Sequence, residues 1–135
     1  MRLLFEQLIV FSFSRMKALF ALTLCLLASC AAVRPATQST LAGEWRYRDK
    51  IQSCHYVFNQ DGSFHGEVIY HGKLVSKFTG RWSVQGDALR YNYLTDALHR
   101  IPPGSIDRDK LLTVQKDSFA IEAADGSRRT YSRVR

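Results

Sequence analysis

Cys30 has the most specific setting for chemistry in this 135-residue chain. It follows an apolar stretch, residues 18–27, that only Thr23 interrupts, and the positive charge of Lys17 precedes that stretch. A basic start, a short apolar run and a small residue before the cleavage point together form an export signal. The small residue here is Ser29. We therefore predict cleavage between Ser29 and Cys30, which makes Cys30 the new N-terminus.

The four residues Leu27-Ala28-Ser29-Cys30 resemble the bacterial lipobox. This resemblance implies that Cys30 is acylated, with palmitate as an expected chain, and that lipid anchors the protein to the cell envelope. Ala31 follows the cysteine, and in lipoproteins of this kind it implies passage to the outer membrane, where the domain would face the periplasm. An export signal does not require the second apolar run before Met16, so we favour Met16 over Met1 as the start.

Three segments follow from this reading: a signal peptide over residues 1–29, a lipidated cysteine with a flexible tether over residues 30–42, and one domain over residues 43–135. The net charge of +7 falls to +5 once Arg2, Arg15, Lys17 and Glu6 leave with the signal. Cys54 is then the one thiol besides the acylated cysteine, so we expect packing and not a disulfide to hold the domain together.

From residue 43 onward the chain reads as short β-strands separated by turn signals such as Asp61-Gly62 and Asp125-Gly126. Residues 74–84 alternate apolar with polar side chains, which is typical of a half-buried strand. The periodicity lapses over residues 95–110, where Pro102-Pro103 predicts a long loop. We expect no helix beyond a turn near residues 95–99.

About eight strands follow one another in this pattern. An antiparallel sheet of that size avoids exposed edges when it closes on itself, so the pattern predicts an all-β, up-and-down barrel. A flatter, open sandwich is the alternative.

The opening Leu41-Ala42-Gly43-Glu44-Trp45, the second Gly-x-Trp at Gly80-Arg81-Trp82 and the closing Tyr131-Ser132-Arg133 resemble the small bacterial lipocalin-like lipoproteins over about residues 41–134. The resemblance implies a small lipocalin-like barrel. It also implies that Arg133, on the last strand, covers the ring of Trp45, on the first, in a cation–π contact that closes the barrel.

The many aromatic residues of the domain could line an apolar pocket or simply fill the barrel, because eight strands enclose little space. Buried tyrosines need partners for their hydroxyls, which makes Tyr91 and Tyr93 the best candidates for contact with a ligand. We predict a ligand-binding set that also includes neighbouring aromatic residues: Tyr91, Tyr93, Trp82 and Phe78.

Histidines 55, 65, 71 and 99 invite a metal hypothesis, but they lack metal-ligand spacing and a companion carboxylate cluster. The chain also lacks a nucleophile elbow and a glycine-rich phosphate loop. We therefore predict no metal, no cofactor and no enzymatic activity. Three aspartates, Asp107, Asp109 and Asp125, are interpreted as turn formers.

The favoured function is a non-catalytic binding module for a small apolar molecule or a lipid. The alternative is a structural or interaction lipoprotein whose filled barrel presents the 95–110 loop and a basic rim to a protein partner or an anionic membrane. A nucleic acid partner is not expected in the envelope.

Overall fold

A computed structural model describes residues 36–135. Eight antiparallel strands pair in chain order and close into a barrel, which confirms the predicted all-β, up-and-down architecture. The strands are β1 (Gly43–Arg48), β2 (Gln52–Phe58), β3 (Ser63–Tyr70), β4 (Lys73–Gln85), β5 (Ala88–Asp96), β6 (Ile106–Val114), β7 (Ser118–Glu122) and β8 (Arg128–Arg133). The predicted signal peptide, with Ser29 and Cys30, lies outside the described residues. Within 36–135, no helix is long and apolar enough to cross a membrane.

The barrel has two different ends. At one end, called here the helix end, β1 begins, β8 ends, and a short helix α1 (Gln38–Leu41) precedes β1. At the opposite end, called the mouth, β5 ends, β6 begins and the 97–105 loop joins them. The barrel closes where β1 pairs with β8, with Trp45 opposite Arg133.

Helix α1 corrects the prediction of a flexible tether that extends to residue 42. Thr37 and Thr40 form a capping box, in which each side chain bonds the backbone of the other. Leu41 is completely buried, and its carbonyl accepts a 2.8 Å hydrogen bond from the indole nitrogen of Trp45. The single turn is too short to be stable alone, so its contacts with the barrel keep it in place.

Arg133 joins β8 to this segment and closes the helix end. Its guanidinium carbon lies 4.1 Å from the centre of the Trp45 ring. The same group donates hydrogen bonds to the carbonyls of Ala42, at 2.9 Å, and Thr40, at 3.2 Å. Gly43 adopts a φ of +138°, and a Cβ there would collide with the Arg133 guanidinium. This packing explains why glycine stands two residues before the tryptophan.

Aromatic side chains fill the helix end and the middle of the barrel. Phe119 stacks on Tyr131 with ring centres 4.8 Å apart, and Trp82 lies 4.8 Å from Phe58. Trp45 meets the edge of Phe119, also at 4.8 Å. These rings belong to one packed cluster of buried residues that also contains Leu41, Leu89 and Ile121.

The loop after β5 is shorter than predicted, because β6 begins at Ile106 and occupies residues assigned to the loop. Strand β6 does not show the usual alternation, because polar side chains lie on its inward side. Asp107 and Asp109 border a space at the barrel mouth, where Asp109 is half-buried and Asp107 is exposed, and Ile106 and Arg108 are exposed as well. The two proline residues do lie in the loop, as predicted.

Asp96 organises that loop from its buried position at the end of β5. Its carboxylate accepts hydrogen bonds from the backbone amides of Lys77, Leu98, Arg100 and Ile101 at 2.8–3.1 Å. Burial alone would raise the pKa of Asp96, but these four donors lower it to about 2. The carboxylate therefore holds the loop over a wide pH range.

Candidate functional site

A chamber of about 280 Å³ opens at the mouth of the barrel. Three tyrosines from β2 and β5 form its inner wall: Tyr56, Tyr91 and Tyr93. Its rim carries charged side chains from β6, from the β7–β8 turn and from β8: Asp107, Asp109, Asp125 and Arg129. Ala123 and Ala124 complete the lining, and their small size leaves the space open. We refer to this space as the mouth chamber.

The hydroxyls of the three tyrosines differ in their hydrogen-bond partners. Tyr91 donates a 3.0 Å hydrogen bond to Oδ2 of Asp109. Tyr56 and Tyr93 are only 8% and 7% exposed as whole residues, but their hydroxyl oxygens are not among the solvent-inaccessible polar atoms, and within residues 36–135 they bond no protein group. Buried polar groups are normally paired, because an unpaired one loses its hydration without compensation. Unpaired hydroxyls in the wall of a chamber are therefore available to a ligand or to water.

Two other hydroxyls of the interior are fully buried. The oxygen atoms of Ser76 and Tyr131 are inaccessible to solvent and lack a partner in the described part of the protein. Ser76 lies near the mouth end of β4, directly opposite Val68 in the pairing with β3. Unpaired hydroxyls therefore occur both near the mouth, at Ser76, and beside the stacked rings of Tyr131 and Phe119.

Asp109 is the chamber carboxyl group whose pKa is raised toward neutrality. Burial, and to a smaller extent the charges of Asp107 and Asp125, raise the pKa from 3.8 to a net value of about 6. The hydrogen bond from Tyr91 and the charge of Arg129 act in the opposite direction. Near neutral pH, Asp109 therefore changes between an acid that can donate a hydrogen bond and a carboxylate that can hold a cation.

Burial also keeps the tyrosines neutral. It raises the pKa of Tyr56 and Tyr91 well above the ordinary value, and it raises that of Tyr93 as well. The three phenols are therefore hydroxyl donors and acceptors and not phenolate anions at physiological pH. The formal charge of the chamber comes from the aspartates and Arg129 alone.

The structure brings together only part of the ligand-binding set predicted from the sequence. Tyr91 and Tyr93 line the mouth chamber. Phe78 packs against Tyr93 with ring centres 5.2 Å apart but does not line the chamber. Trp82 lies at the helix end, where its indole nitrogen donates to the carbonyl of Asn59 at 2.8 Å. The chamber therefore uses the tyrosines without these two apolar rings.

Sequence reasoning missed Tyr56, Arg129 and the two aspartates of β6 as chamber residues. The interpretation of Asp107 and Asp109 as turn formers is wrong, because both lie on a strand. Asp125 does lie in a turn, between β7 and β8. The available signal was the spacing of the two β6 aspartates. Alternate residues share one face of a strand, and Asp109 and Asp107 lie opposite Leu89 and Tyr91, which face the barrel interior.

The histidines lie on the outer surface or in turns. A groove of about 550 Å³ outside the barrel is bordered by His55, His65 and His99, with Lys77 and Thr79 beside them. His55 contacts Oε1 of Glu44 at 2.7 Å. In the described part of the chain, no group of three or more His, Cys, Asp or Glu residues could hold a metal ion. We therefore assign the candidate site to the mouth chamber, where unpaired polar groups converge.

Comparisons with known proteins bear on the fold. A scan against protein-family models found no match, and a search of curated proteins also found none. A search of solved structures found the crystal structure of a lipocalin-like protein from Bacteroides uniformis, with a TM-score of 0.52 and 22% sequence identity. The match covers 70% of this chain and 99% of that chain. Together with the closed eight-stranded barrel, this likeness shows that the chain has a lipocalin-like fold.

Proposed function

We propose that the protein is a non-catalytic binding module of the bacterial cell envelope that holds one small molecule in the mouth chamber. The observation that carries the proposal is that Tyr56 and Tyr93, two largely buried residues, present hydroxyls without a protein partner in the chamber wall. Small-molecule sites are concave and carry a few convergent polar groups, and polar atoms make up most of the accessible lining of this chamber. A lipocalin-like fold agrees with such a role.

The size of the chamber restricts the ligand. Its volume of about 280 Å³ is near the lower end of the range for ligand pockets and equals the space of about nine water molecules. The packed rings beneath it leave no room for a long acyl chain without rearrangement of the core. The best-supported ligand is therefore compact, with an apolar or aromatic body and a polar group that meets the tyrosine hydroxyls.

Ligand binding can be tested with a panel of compact fragments and a thermal-shift assay on the full-length protein. Ala123→Phe should fill the chamber and abolish the stabilisation by any fragment that binds there. Ala120→Phe is the matched control, because Ala120 lies on β7 and does not line the chamber. Equal fragment-induced shifts in both variants would contradict binding in the mouth chamber.

The envelope location is proposed from the lipobox-like residues that end at Cys30. We expect an acylated protein, anchored to the outer membrane and facing the periplasm. Cys30→Ala should give an uncleaved precursor without lipid, detected by mass and by membrane fractionation. Normal maturation of this variant would remove the basis of the anchoring proposal.

A second candidate function is contact with an anionic membrane through the outer face of β5 and β6. Arg90 and Arg108 lie directly opposite each other there, and neither forms an ion pair within residues 36–135. Leu94 and Ile106, 51% and 53% exposed, lie at the mouth end of the same two strands. Like charges opposite each other cost stability unless something else compensates them. Sedimentation with anionic vesicles, weakened by Arg90→Gln and by salt, would support this function.

A further inference from the structure

We propose that the mouth chamber selects a small organic cation, a protonated amine on a compact aromatic or apolar body, over neutral and anionic molecules of the same shape. The inference rests on the proposed function and specifies the class of ligand. It stands on three features of the chamber: its excess of carboxylates, its aromatic wall and its unpaired hydroxyl oxygens.

The charges at the rim favour a cation. Asp107, Asp109 and Asp125 supply three carboxyl groups, whereas Arg129 is the one basic side chain among the lining residues. Arg129 forms no ion pair within residues 36–135, so it does not neutralise a particular carboxylate by contact. A cleft with low-dielectric walls concentrates the field of such an excess charge and attracts ions of the opposite sign.

The wall offers a second source of attraction. The rings of Tyr56 and Tyr91 lie 6.1 Å apart, and those of Tyr91 and Tyr93 stack 6.2 Å apart. An ammonium group near the face of a tyrosine ring is attracted by the negative potential of that face. The same rings pack against an apolar ligand body, so one wall can hold both parts of the molecule.

The unpaired hydroxyls point to a ligand independently of the acidic groups. Tyr56 and Tyr93 are more than nine-tenths buried and line the chamber, and their oxygen atoms can accept hydrogen bonds. A protonated amine has up to three N–H donors and no acceptor. It could therefore donate to a phenolic oxygen and to the Asp109 carboxylate at the same time, which an anion could not do.

Binding of a cation should strengthen as pH rises from about 5 to about 7. The charged or titratable groups around Asp109 are Tyr91 and Tyr93 from β5, Asp107 from β6, Asp125 from the β7–β8 turn, Arg129 and Tyr131 from β8, and Tyr56 from β2. Asp109 ionises near pH 6, and burial keeps the phenols neutral. Its ionisation adds one negative charge beside the ligand.

The test is isothermal titration calorimetry of the full-length protein with three molecules of matched shape: 2-phenylethylamine, 2-phenylethanol and phenylacetate. We expect the amine to bind at least about tenfold more tightly than the alcohol, as a charge-assisted hydrogen bond in a desolvated site allows. Phenylacetate should bind most weakly. The affinity for the amine, and not that for the alcohol, should rise between pH 5 and pH 7.

Three variants separate an electrostatic role from a structural one. Asp109→Asn should lower the amine affinity at pH 7 about tenfold or more and abolish its pH dependence. Arg129→Gln should raise the amine affinity, a gain that damage to the fold would not produce. Asp117→Asn is the matched control, because Asp117 is half exposed in the β6–β7 turn at the helix end and pairs with Arg135. It should bind like the unaltered protein.

Equal or tighter binding of the alcohol or of phenylacetate would overturn the choice of a cation and leave the proposed function intact. Absence of amine binding would also overturn it. Whether the chamber holds any molecule is decided separately, by the fragment panel with the Ala123→Phe variant. The two proposals can therefore fail independently.

Discussion

Replacement of Asp109 by asparagine should stabilise the protein at neutral and alkaline pH. Burial raises the pKa of Asp109 from its ordinary value of 3.8 to about 6 in the folded protein. The folded state therefore binds this proton more tightly than the unfolded state does. The resulting stability is present below about pH 4 and is lost as pH rises through 6. Asparagine has no such titration and can still accept the hydrogen bond from Tyr91.

The size of the effect follows from the pKa difference. Two pKa units correspond to about 3 kcal/mol, at about 1.4 kcal/mol for each unit. Asp109 is only partly buried, so water screens the charge, and we expect about 1–2 kcal/mol. The free energy of unfolding of Asp109→Asn, measured relative to that of the unaltered protein, should therefore increase by this amount when the pH is raised from 4 to 8. Urea unfolding at several pH values measures it, provided that the m-values agree.

Asp61→Asn provides a control of opposite sign. Ser63 donates two hydrogen bonds to the Asp61 carboxylate, from its hydroxyl at 2.6 Å and its amide at 2.8 Å, and these bonds lower the pKa of Asp61. This carboxylate stabilises the fold above its unfolded pKa, and the contribution disappears as pH falls. The asparagine variant should thus lose stability relative to the unaltered protein as pH rises. An effect of Asp109→Asn that is independent of pH, or that has the sign of Asp61→Asn, would refute our account of the chamber electrostatics.

Four further substitutions test the architecture. Trp45→Ala should cost about 3–5 kcal/mol in urea unfolding. Arg133→Ala should lower the free energy of unfolding by less than Trp45→Ala does. The double variant should lose less stability than the sum of the two single losses, and simple additivity would contradict a contact between Trp45 and Arg133. Gly80→Ala should lower the melting temperature, because a Cβ there would collide with the backbone of β5. An unchanged melting temperature would contradict this close packing between β4 and β5. Asp96→Ala should speed tryptic cleavage within the 97–105 loop while the barrel stays folded by circular dichroism, and an unchanged cleavage rate would argue against its role as organiser of the loop.

The fold was largely predictable because most strands obey the ordinary alternation. In β4, Phe78 and Trp82 face inward, while Lys77 and Arg81 between and beside them are exposed. Helix α1 was not predictable from periodicity, because four residues are too few to show any. Its stability comes from a threonine capping box and from the burial of Leu41, and both depend on the barrel it packs against.

The site was less predictable than the fold, because it departs from the rule that charged residues face water. Tyr91 and Tyr93 could be identified, since a buried phenol needs a partner. Asp107 and Asp109 could not, because two inward carboxylates on β6 make that strand look like a polar loop. Functional sites are expected where a strand departs from the usual apolar–polar alternation and the departure brings no gain in stability.

The most direct test of the central claim is native mass spectrometry of the full-length protein, purified in mild detergent from the cells that produce it. We predict a discrete extra mass, that of a bound small molecule, which is lost on denaturation. The same mass should be present in Ala120→Phe and absent from Ala123→Phe. A bare protein mass for all three proteins would contradict a small-molecule binding module and favour the interaction function at the outer face of β5 and β6.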